Sequence, residues 1–435
     1  MKRRFTCILN QWETSGSPEP LLVTGARQVG KTWIIQDFCK NTYEDYVYIN
    51  LEKSPELRSI FEGSLEPQDI LHQLEIVLER PVNSETPLFI DEIQVCERAI
   101  TSLKYFCEAN ENYRVIGAGS LLGVKLARFE SSFPVGKVRI AQLYPMSFDE
   151  FLDACDNQLL LEEIQQSFRK KKPLAEAVHQ KALQYYHDYL TIGGMPRFVK
   201  QYVDAGKNII HVDTEFHKSL RLSYLADMTK YTISAAEGVK ITEVYDSVPR
   251  QLAHENPKFK YSEVRRTGNK RDFSSSLDWL VASGMVLRVD KLGSPRVPMA
   301  GFIEKGFERI YLSDIGLLSS VCGLKPRDLY PEADNVYKGA VIENYVMQEF
   351  VSYGKPLCYF KPSGSMEIDL MIDREDGICP VEIKSGRNKR STSLNNYIEK
   401  YSPPEAFRLS EKNFGWSETI TSLPLYASFC LCCTV

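Results

Sequence analysis

The chain has 435 residues, 25% charged and 43% hydrophobic, with a net charge of -4. That length outgrows one hydrophobic core, so about two to four domains are expected. The near-neutral balance confines any nucleic-acid surface to a local patch, and no apolar run approaches the roughly 18 residues of a membrane span.

The opening stretch, MKRRFTCILNQWETSG, is basic at first but has only a brief apolar run. It makes no signal peptide and favours a cytoplasmic protein. The next stretch, LLVTGARQVGKT, dominates the chain. Leu21–Thr24 reads as a buried strand, and Trp33-Ile34-Ile35 as the start of a helix. Between them Gly25, Ala26, Arg27, Gln28, Val29, Gly30, Lys31 and Thr32 complete the G-x-x-x-x-G-K-[ST] pattern. Such a loop turns backbone N–H groups toward one point at a helix N-terminus and suits a phosphate chain. Lys31 is expected to reach the β and γ phosphates, and Thr32 to place its hydroxyl on Mg²⁺.

Tyr46–Ile49 reads as a strand and Gln68–Leu78, after Pro67, as an amphipathic helix. The run Leu88-Phe89-Ile90 then ends in Asp91-Glu92, about 60 residues after Lys31. At a strand end beside a phosphate loop, Asp91 would hold Mg²⁺ through its water shell and Glu92 would polarise the attacking water. Tyr113–Ile116 leads to Gly119-Ser120, where Ser120 either senses the γ-phosphate and orients water or caps a helix. Arg128, Lys137 and Arg139 are either completing cations for the phosphate site, in cis or from a neighbouring subunit, or solvated surface charges.

Residues 153–215 read as helical, with a charged surface loop at Arg169–Pro173 and a sharp break at Gly193-Gly194-Met195-Pro196. Helix resumes through Val199–Tyr202 and from Asp213 to about Tyr231. Helices at Tyr261–Arg266 and Ser274–Ala282 precede a strand, Gly284–Asp290, and a loop, Lys291–Pro298. Two helices and a β-wing make a winged-helix unit, made locally basic by Lys258, Lys260, Arg265, Arg266, Lys270 and Arg271. That face either engages phosphates or belongs to a scaffolding or regulatory domain.

Further on, Asn335–Phe350 reads as a helix with Glu343 in its middle. Glu367–Ile372 and Val381–Lys384 read as strands. Asp369 followed by Glu382-x-Lys384 is the layout of a metal-dependent phosphodiester nuclease. Period two puts Glu382 and Lys384 on one side of their strand. Glu343, Asp369 and Glu382 would hold Mg²⁺ while Lys384 orients or deprotonates water. The alternative is a set of solvent-facing residues on an amphipathic edge strand. The 11 cysteines, odd in number and scattered, suit reduced thiols. Cys430, Cys432 and Cys433 form either a metal site or an apolar tail.

GARQVGKT at 25–32, LFIDEIQ at 88–94, the Gly119-Ser120 pair, YPMSFDEF at 144–151, GGMP at 193–196 and DMTKY at 227–231 stand together in this chain. With Glu343-Asn344, Glu367-Ile368-Asp369 and Val381–Gly386, the chain resembles a prokaryotic ATPase family over nearly its whole length. That family joins an N-terminal AAA+-type domain to a C-terminal domain of formerly unknown function, similar to the restriction-endonuclease fold. The resemblance implies ATPase positions at Lys31, Thr32, Asp91 and Glu92, and nuclease-like positions at Glu343, Asp369, Glu382 and Lys384. One departure is Gly136-Lys137, where the family often has Gly-Arg.

The expected fold class is therefore α/β in three modules. Residues 1–155 are a P-loop NTPase (AAA+-like) domain, 156–325 a helical and winged-helix middle, and 326–420 a mixed α/β restriction-endonuclease-like domain. The expected cofactors are ATP and Mg²⁺. The partners are a nucleotide and DNA, or a protein partner or further copies of the chain, and no membrane. Function divides between a DNA-associated ATPase and an ATP-dependent switch with an inactive nuclease-like module.

Overall fold

The structure is a computed structural model that describes residues 1–127, 134–213, 215–230, 232, 234–254, 257–330, 335–362, 366–385 and 392–433. Arg128, Tyr231 and Gly386 lie outside the described residues. The chain divides into two compact units, residues 2–144 with 282–284, and residues 145–281 with 285–435.

The first unit is built on five parallel strands: β1 (Leu21–Thr24), β2 (Val47–Asn50), β3 (Leu88–Asp91), β4 (Val115–Ala118) and β5 (Arg139–Gln142). Their order is β2-β3-β4-β1-β5. β1, β3 and β4 are buried at every position, as expected of parallel strands covered on both faces. β5 is the edge, with only Ala141 buried, and its mixed sequence gives no apolar run to read as a strand. The register aligns Val23 with Ala118, Ala118 with Asp91, and Asp91 with Asn50. The carboxyl ends of four strands thus lie in one row. Leu22, Val47, Ile49, Ile70, Leu74, Leu103 and Phe106 belong to the core that covers the sheet.

The second unit opens with helices, among them Phe148–Ala154, Glu176–Ile192, Pro196–Asp204, Glu215–Lys230, Ala235–Leu252 and Lys270–Ala282. Ser147 and Glu150 form a reciprocal cap that starts the first of these. The GGMP break is a tight crossing. Gly193 has φ +77°, and a Cβ on Gly194 would come within 2.1 Å of the Met146 carbonyl oxygen. Pro196 then starts the next helix, where its missing N–H costs nothing.

An eight-stranded sheet completes this unit. Its strands are β6 (Val286–Leu292), β7 (Ile303–Leu312), β8 (Cys358–Phe360), β9 (Ile368–Arg374), β10 (Gly377–Ile383), β11 (Phe407–Ser410), β12 (Gly415–Trp416) and β13 (Thr421–Pro424). The order is β12-β13-β11-β10-β9-β8-β6-β7. The antiparallel hairpin β6–β7 is therefore not confined to the middle of the chain, because β6 pairs in parallel with β8. The segment Tyr261–Arg266, expected as a helix, makes one turn at Tyr261–Val264.

The helix Lys338–Ser352 is buried nearly all round. Its polar side chains are spent on backbone groups. Asn344 accepts from the Leu312 N–H and donates to the Leu312 carbonyl, both at 2.9 Å. Gln348 accepts from the Ile315 N–H at 2.8 Å, and Glu349 from the Phe148 N–H at 2.7 Å. These bonds satisfy amides that burial would otherwise leave unpaired, and they fix the helix that carries Glu343.

Candidate functional site

The loop after β1 needs glycine at its first position. Gly25 has φ +137°, and a Cβ there would lie 2.2 Å from the Leu143 carbonyl oxygen. Gln28 and Gly30 also take positive φ, at 66° and 97°, so the loop curls into a concave run of backbone N–H groups before the helix Lys31–Thr42. The Lys31 ammonium is buried and donates to the carbonyls of Gly25 and Ala26 at 2.8 and 2.9 Å. The Thr32 hydroxyl donates to Asp91 Oδ2 at 2.9 Å.

Asp91 ends β3 in a dense set of donors. Tyr48 Oη and Asn50 Nδ2, both on β2, reach its Oδ2 at 3.1 and 3.2 Å, and the Glu92 N–H reaches its Oδ1 at 3.1 Å. Glu92 itself sits in the left-handed region with φ +51°, which turns its side chain off the line of the strand. Its Oε2 accepts a 2.5 Å hydrogen bond from Gln94 Nε2. Ser120 is buried two residues beyond the end of β4. Of the candidate completing cations, Lys137 pairs with Glu108 at 3.2 Å and Arg139 lies 3.9 Å from Glu19.

In the second unit, a cavity of about 460 Å³ is lined by Glu343, Glu367, Asp369, Glu382 and Lys384, with Ser385, Ser393 and His254. β9 and β10 are antiparallel with Leu370 opposite Val381, which sets Asp369 and Glu382 one step further along facing strands. Asp369 Oδ2 accepts the Ile383 N–H at 2.8 Å. Glu343 Oε2 accepts the Tyr311 hydroxyl at 3.0 Å. Lys384 Nζ lies 2.8 Å from Glu382 Oε1, while Glu382 Oε2 is buried, accepts no hydrogen bond, and has Arg408 Nε 3.8 Å away. Glu367 pairs with Lys361 at 2.5 Å and with the buried Arg309, whose guanidinium stacks 4.0 Å from the Tyr359 ring centre.

Burial first, and the nearby Glu343 charge second, push the Asp369 carboxyl up to about 7. Burial also raises Glu343, outweighing the Arg309 charge. For Glu367 burial works the same way, but Arg309 and Lys361 overcome it and hold the carboxyl below its ordinary value. The carboxylates share a cavity without closing on one point. Among the described residues no group of three or more His, Cys, Asp or Glu side chains forms a ready-made metal site. That includes Cys430 and Cys432, both buried.

Three family models match successive parts of the chain. One described as an AAA domain matches residues 17–152, which hold the phosphate loop, Asp91 and Glu92 together. The chain carries an AAA-type P-loop ATPase domain. Its activity is accordingly ATP hydrolysis, and such an ATPase works on ATP with Mg²⁺. The rest of the chain beyond this ATPase domain matches two models described as domains of unknown function, DUF8612 over residues 183–328 and DUF4143 over 338–427. No curated protein matches the chain.

Among solved structures the ATPase is similar to a Walker-type ATPase of Pyrococcus abyssi, at 13% identity over 74% of this chain and 95% of that one, with a TM-score of 0.46. The ORC2 protein of Aeropyrum pernix is 11% identical over 74% and 93%, with a TM-score of 0.40. RuvB of Thermotoga maritima is 14% identical over 68% and 88%, with a TM-score of 0.31. Among the described residues, no helix of the ATPase is long and apolar enough to cross a membrane.

Some residues of these sites are not evident from motifs. Tyr48 and Asn50 alternate on β2 and so share a face, but only the strand register brings that face to Asp91. Glu367 stands just ahead of β9, two residues before Asp369, and lines the same cavity. Arg309 carries no local sign of its role, since a lone arginine in a strand usually faces water.

Proposed function

We propose that this chain is a Mg²⁺-dependent ATPase that acts with DNA, and that its nucleotide state governs a nuclease-like module. In the ATPase domain, the backbone amides of residues 25–30 cradle the phosphates and Lys31 reaches the β and γ groups. Thr32 and Asp91 hold Mg²⁺, Glu92 polarises the attacking water, and Ser120 reports on the γ-phosphate from the neighbouring strand end.

The DNA-facing part of the reading rests on element order and charge. The helices Ala235–Leu252 and Lys270–Ala282, the turn between them and the hairpin β6–β7 follow in winged-helix order, and Lys258 bridges to Arg309 of β7. Lys260, Arg266, Lys270 and Arg271 are exposed there, while Arg265 pairs with Glu243 at 2.7 Å. Further along, Lys338–Ser352, β8, β9, β10, Thr392–Tyr401 and β11 give the order α-β-β-β-α-β expected of a restriction-endonuclease-like core.

The observation that carries the nuclease-like reading is the shared cavity wall of Glu343, Asp369, Glu382 and Lys384. The three acidic side chains of that set, Glu343, Asp369 and Glu382, offer carboxylate oxygens, which suit Mg²⁺ or Mn²⁺ over zinc. Glu382 Oε2, buried and accepting no hydrogen bond, and the raised Asp369 carboxyl are both features that a cation would relieve. Glu343, Asp369 and Glu382 would hold the ion, and the metal would supply an activated water. The test is Mn²⁺-dependent cleavage of duplex and single-stranded DNA by the parent chain, abolished by Asp369→Ala.

A second reading is an ATP-dependent protein switch that keeps an inactive nuclease-like module. One observation favours it. Glu382 Oε1 is already paired with Lys384 Nζ at 2.8 Å, and among the described residues no three carboxylates form a ready-made metal site. Absence of cleavage by the parent, with Mn²⁺ and ATP both present, would select this reading.

A further inference from the structure

The ATPase centre holds one buried side chain that the roles above leave without work. Gln94, two residues past Glu92, is 2% exposed and lies in the 3₁₀ turn Ile93–Val95. Its Nε2 donates to Glu92 Oε2 at 2.5 Å, and among the described residues no other hydrogen bond reaches that carboxylate. Its Oε1 is buried and accepts nothing. A buried amide oxygen without a donor costs free energy, so this orientation is held by something else.

That something is the Glu92 carboxylate, and Gly119 leaves the amide the room to reach it. A Cβ at position 119 would lie 1.8 Å from Gln94 Oε1 and 2.8 Å from its Cδ, so the amide lies directly against the glycine backbone. The Gly119 N–H in turn donates to the Val23 carbonyl of β1 at 3.3 Å. The amide cannot usefully rotate by half a turn. That would set its carbonyl oxygen against the Glu92 carboxylate, two acceptors face to face. Glu92, meanwhile, occupies a left-handed backbone conformation that is unfavourable for a residue of its type.

We infer that Gln94 is a positioning residue for ATP hydrolysis, clamping one oxygen of Glu92 so that the other is presented to the attacking water, with Gly119 shaped to let the clamp in. The inference rests on the assignment of Glu92 as the water-polarising group. One carboxylate oxygen is pinned by a neutral donor and the other stays available to accept a proton from water. Without the pin, the carboxylate rotates about its side-chain torsions and spends less time where the water must be. A misplacement of about 1 Å can cost roughly 100-fold in rate.

The variants are Gln94→Met, nearly isosteric but without the donor, and Gly119→Ala, which pushes the amide away without touching either partner. Phosphate release and fluorescent-ATP binding are measured for each in the full chain with Mg²⁺. Expected is a kcat lower by roughly 10- to 100-fold in both, with the nucleotide Kd within about twofold of the parent. The double variant should be no slower than Gln94→Met alone, because the added methyl then displaces nothing that matters.

A purely structural role would move Kd and melting temperature together with kcat and would add in the double variant. Should Gln94→Met fail to fold, Gly119→Ala decides, since its clash falls on the movable end of a side chain. Parent-like or faster turnover in the folded variants would overturn the inference. Glu92→Gln separates the two levels. If it hydrolyses ATP at the parent rate, the assignment of Glu92 falls. If it is inactive while Gln94→Met and Gly119→Ala keep the parent kcat, only the clamp falls.

Discussion

Asp314 ties the GGMP break to the helix Ile315–Val321, and its burial makes a pH-dependent stability that one substitution should remove. The side chain is fully buried. Its Oδ2 accepts the Gly194 N–H at 2.7 Å, and its Oδ1 accepts the Leu317 N–H at 3.0 Å as the helix cap. Burial nonetheless dominates those bonds and pushes the carboxyl up to about 6 from its ordinary 3.8. A folded-state value above the unfolded one means the fold binds the proton more tightly. The associated stability is therefore complete below about pH 3.8 and lost as pH rises through about 6. Two units of displacement correspond to about 3 kcal/mol. Asp314→Asn carries no titrating group, so the stability of the variant relative to the parent should rise by about 2.4 kcal/mol between pH 4 and 7. Asp314→Ala should instead cost about 2 to 4 kcal/mol, from the lost cap and the stranded Gly194 amide. Scanning calorimetry of parent and variants across that range reads both effects, and the subtraction removes the other titrating groups. Parallel pH profiles for parent and Asp314→Asn would refute the reasoning.

Lys31→Ala should abolish ATP binding in a fluorescent-nucleotide titration, whereas Glu92→Gln should bind ATP and not turn it over. Chelation of Mg²⁺ should stop phosphate release by the parent chain, and restoring the ion should bring it back. Duplex DNA should bind at low salt and weaken steeply as salt rises, because each phosphate contact releases counterions. Reversing charge at Lys270 and Arg271 should flatten that slope, and an absence of binding at low salt would turn the function toward the protein-switch reading.

The sheet of the ATPase domain is legible where its strands are covered on both faces. Leu21–Val23 and Leu88–Ile90 are continuous apolar runs because both faces of these strands are covered. β4 sits two residues later than its apolar run indicates, at Val115–Ala118, because glycine and alanine extend it toward Ser120. The edge strand β5 is missed for the opposite reason, since solvent on one side removes the pattern. β7 is missed likewise. Its first half, Ile303–Phe307, is largely exposed and only Ile310–Leu312 reads as core. The junction of β6 with β8 brings together segments more than 60 residues apart, and such pairing leaves no local trace. Site residues follow the same logic. Lys31, Thr32, Asp91 and Glu92 announce themselves through short motifs. Tyr48, Asn50, Arg309 and the contact of Gln94 with Gly119 exist only once strands have been laid side by side.

The two carboxylate centres of the chain are built on different electrostatic terms, and the difference bears on what each needs. Asp91 meets four donors, three of them from side chains that themselves sit on strands or on the phosphate-loop helix. A carboxylate surrounded in that way has its direction settled before any ion arrives, which is the preorganisation that phosphoryl transfer demands. Asp369 receives one backbone N–H and faces Glu343 across a cavity wall, and its carboxyl is pushed toward the neutral form. Lys384 and Arg408 both attend to Glu382 instead. The cations thus attend most closely to Glu367 and Glu382, whereas at Glu343 and Asp369 the Arg309 charge is outweighed by burial. On the proposed nuclease-like reading, these two raised carboxyls are the pair that a bound divalent cation would relieve.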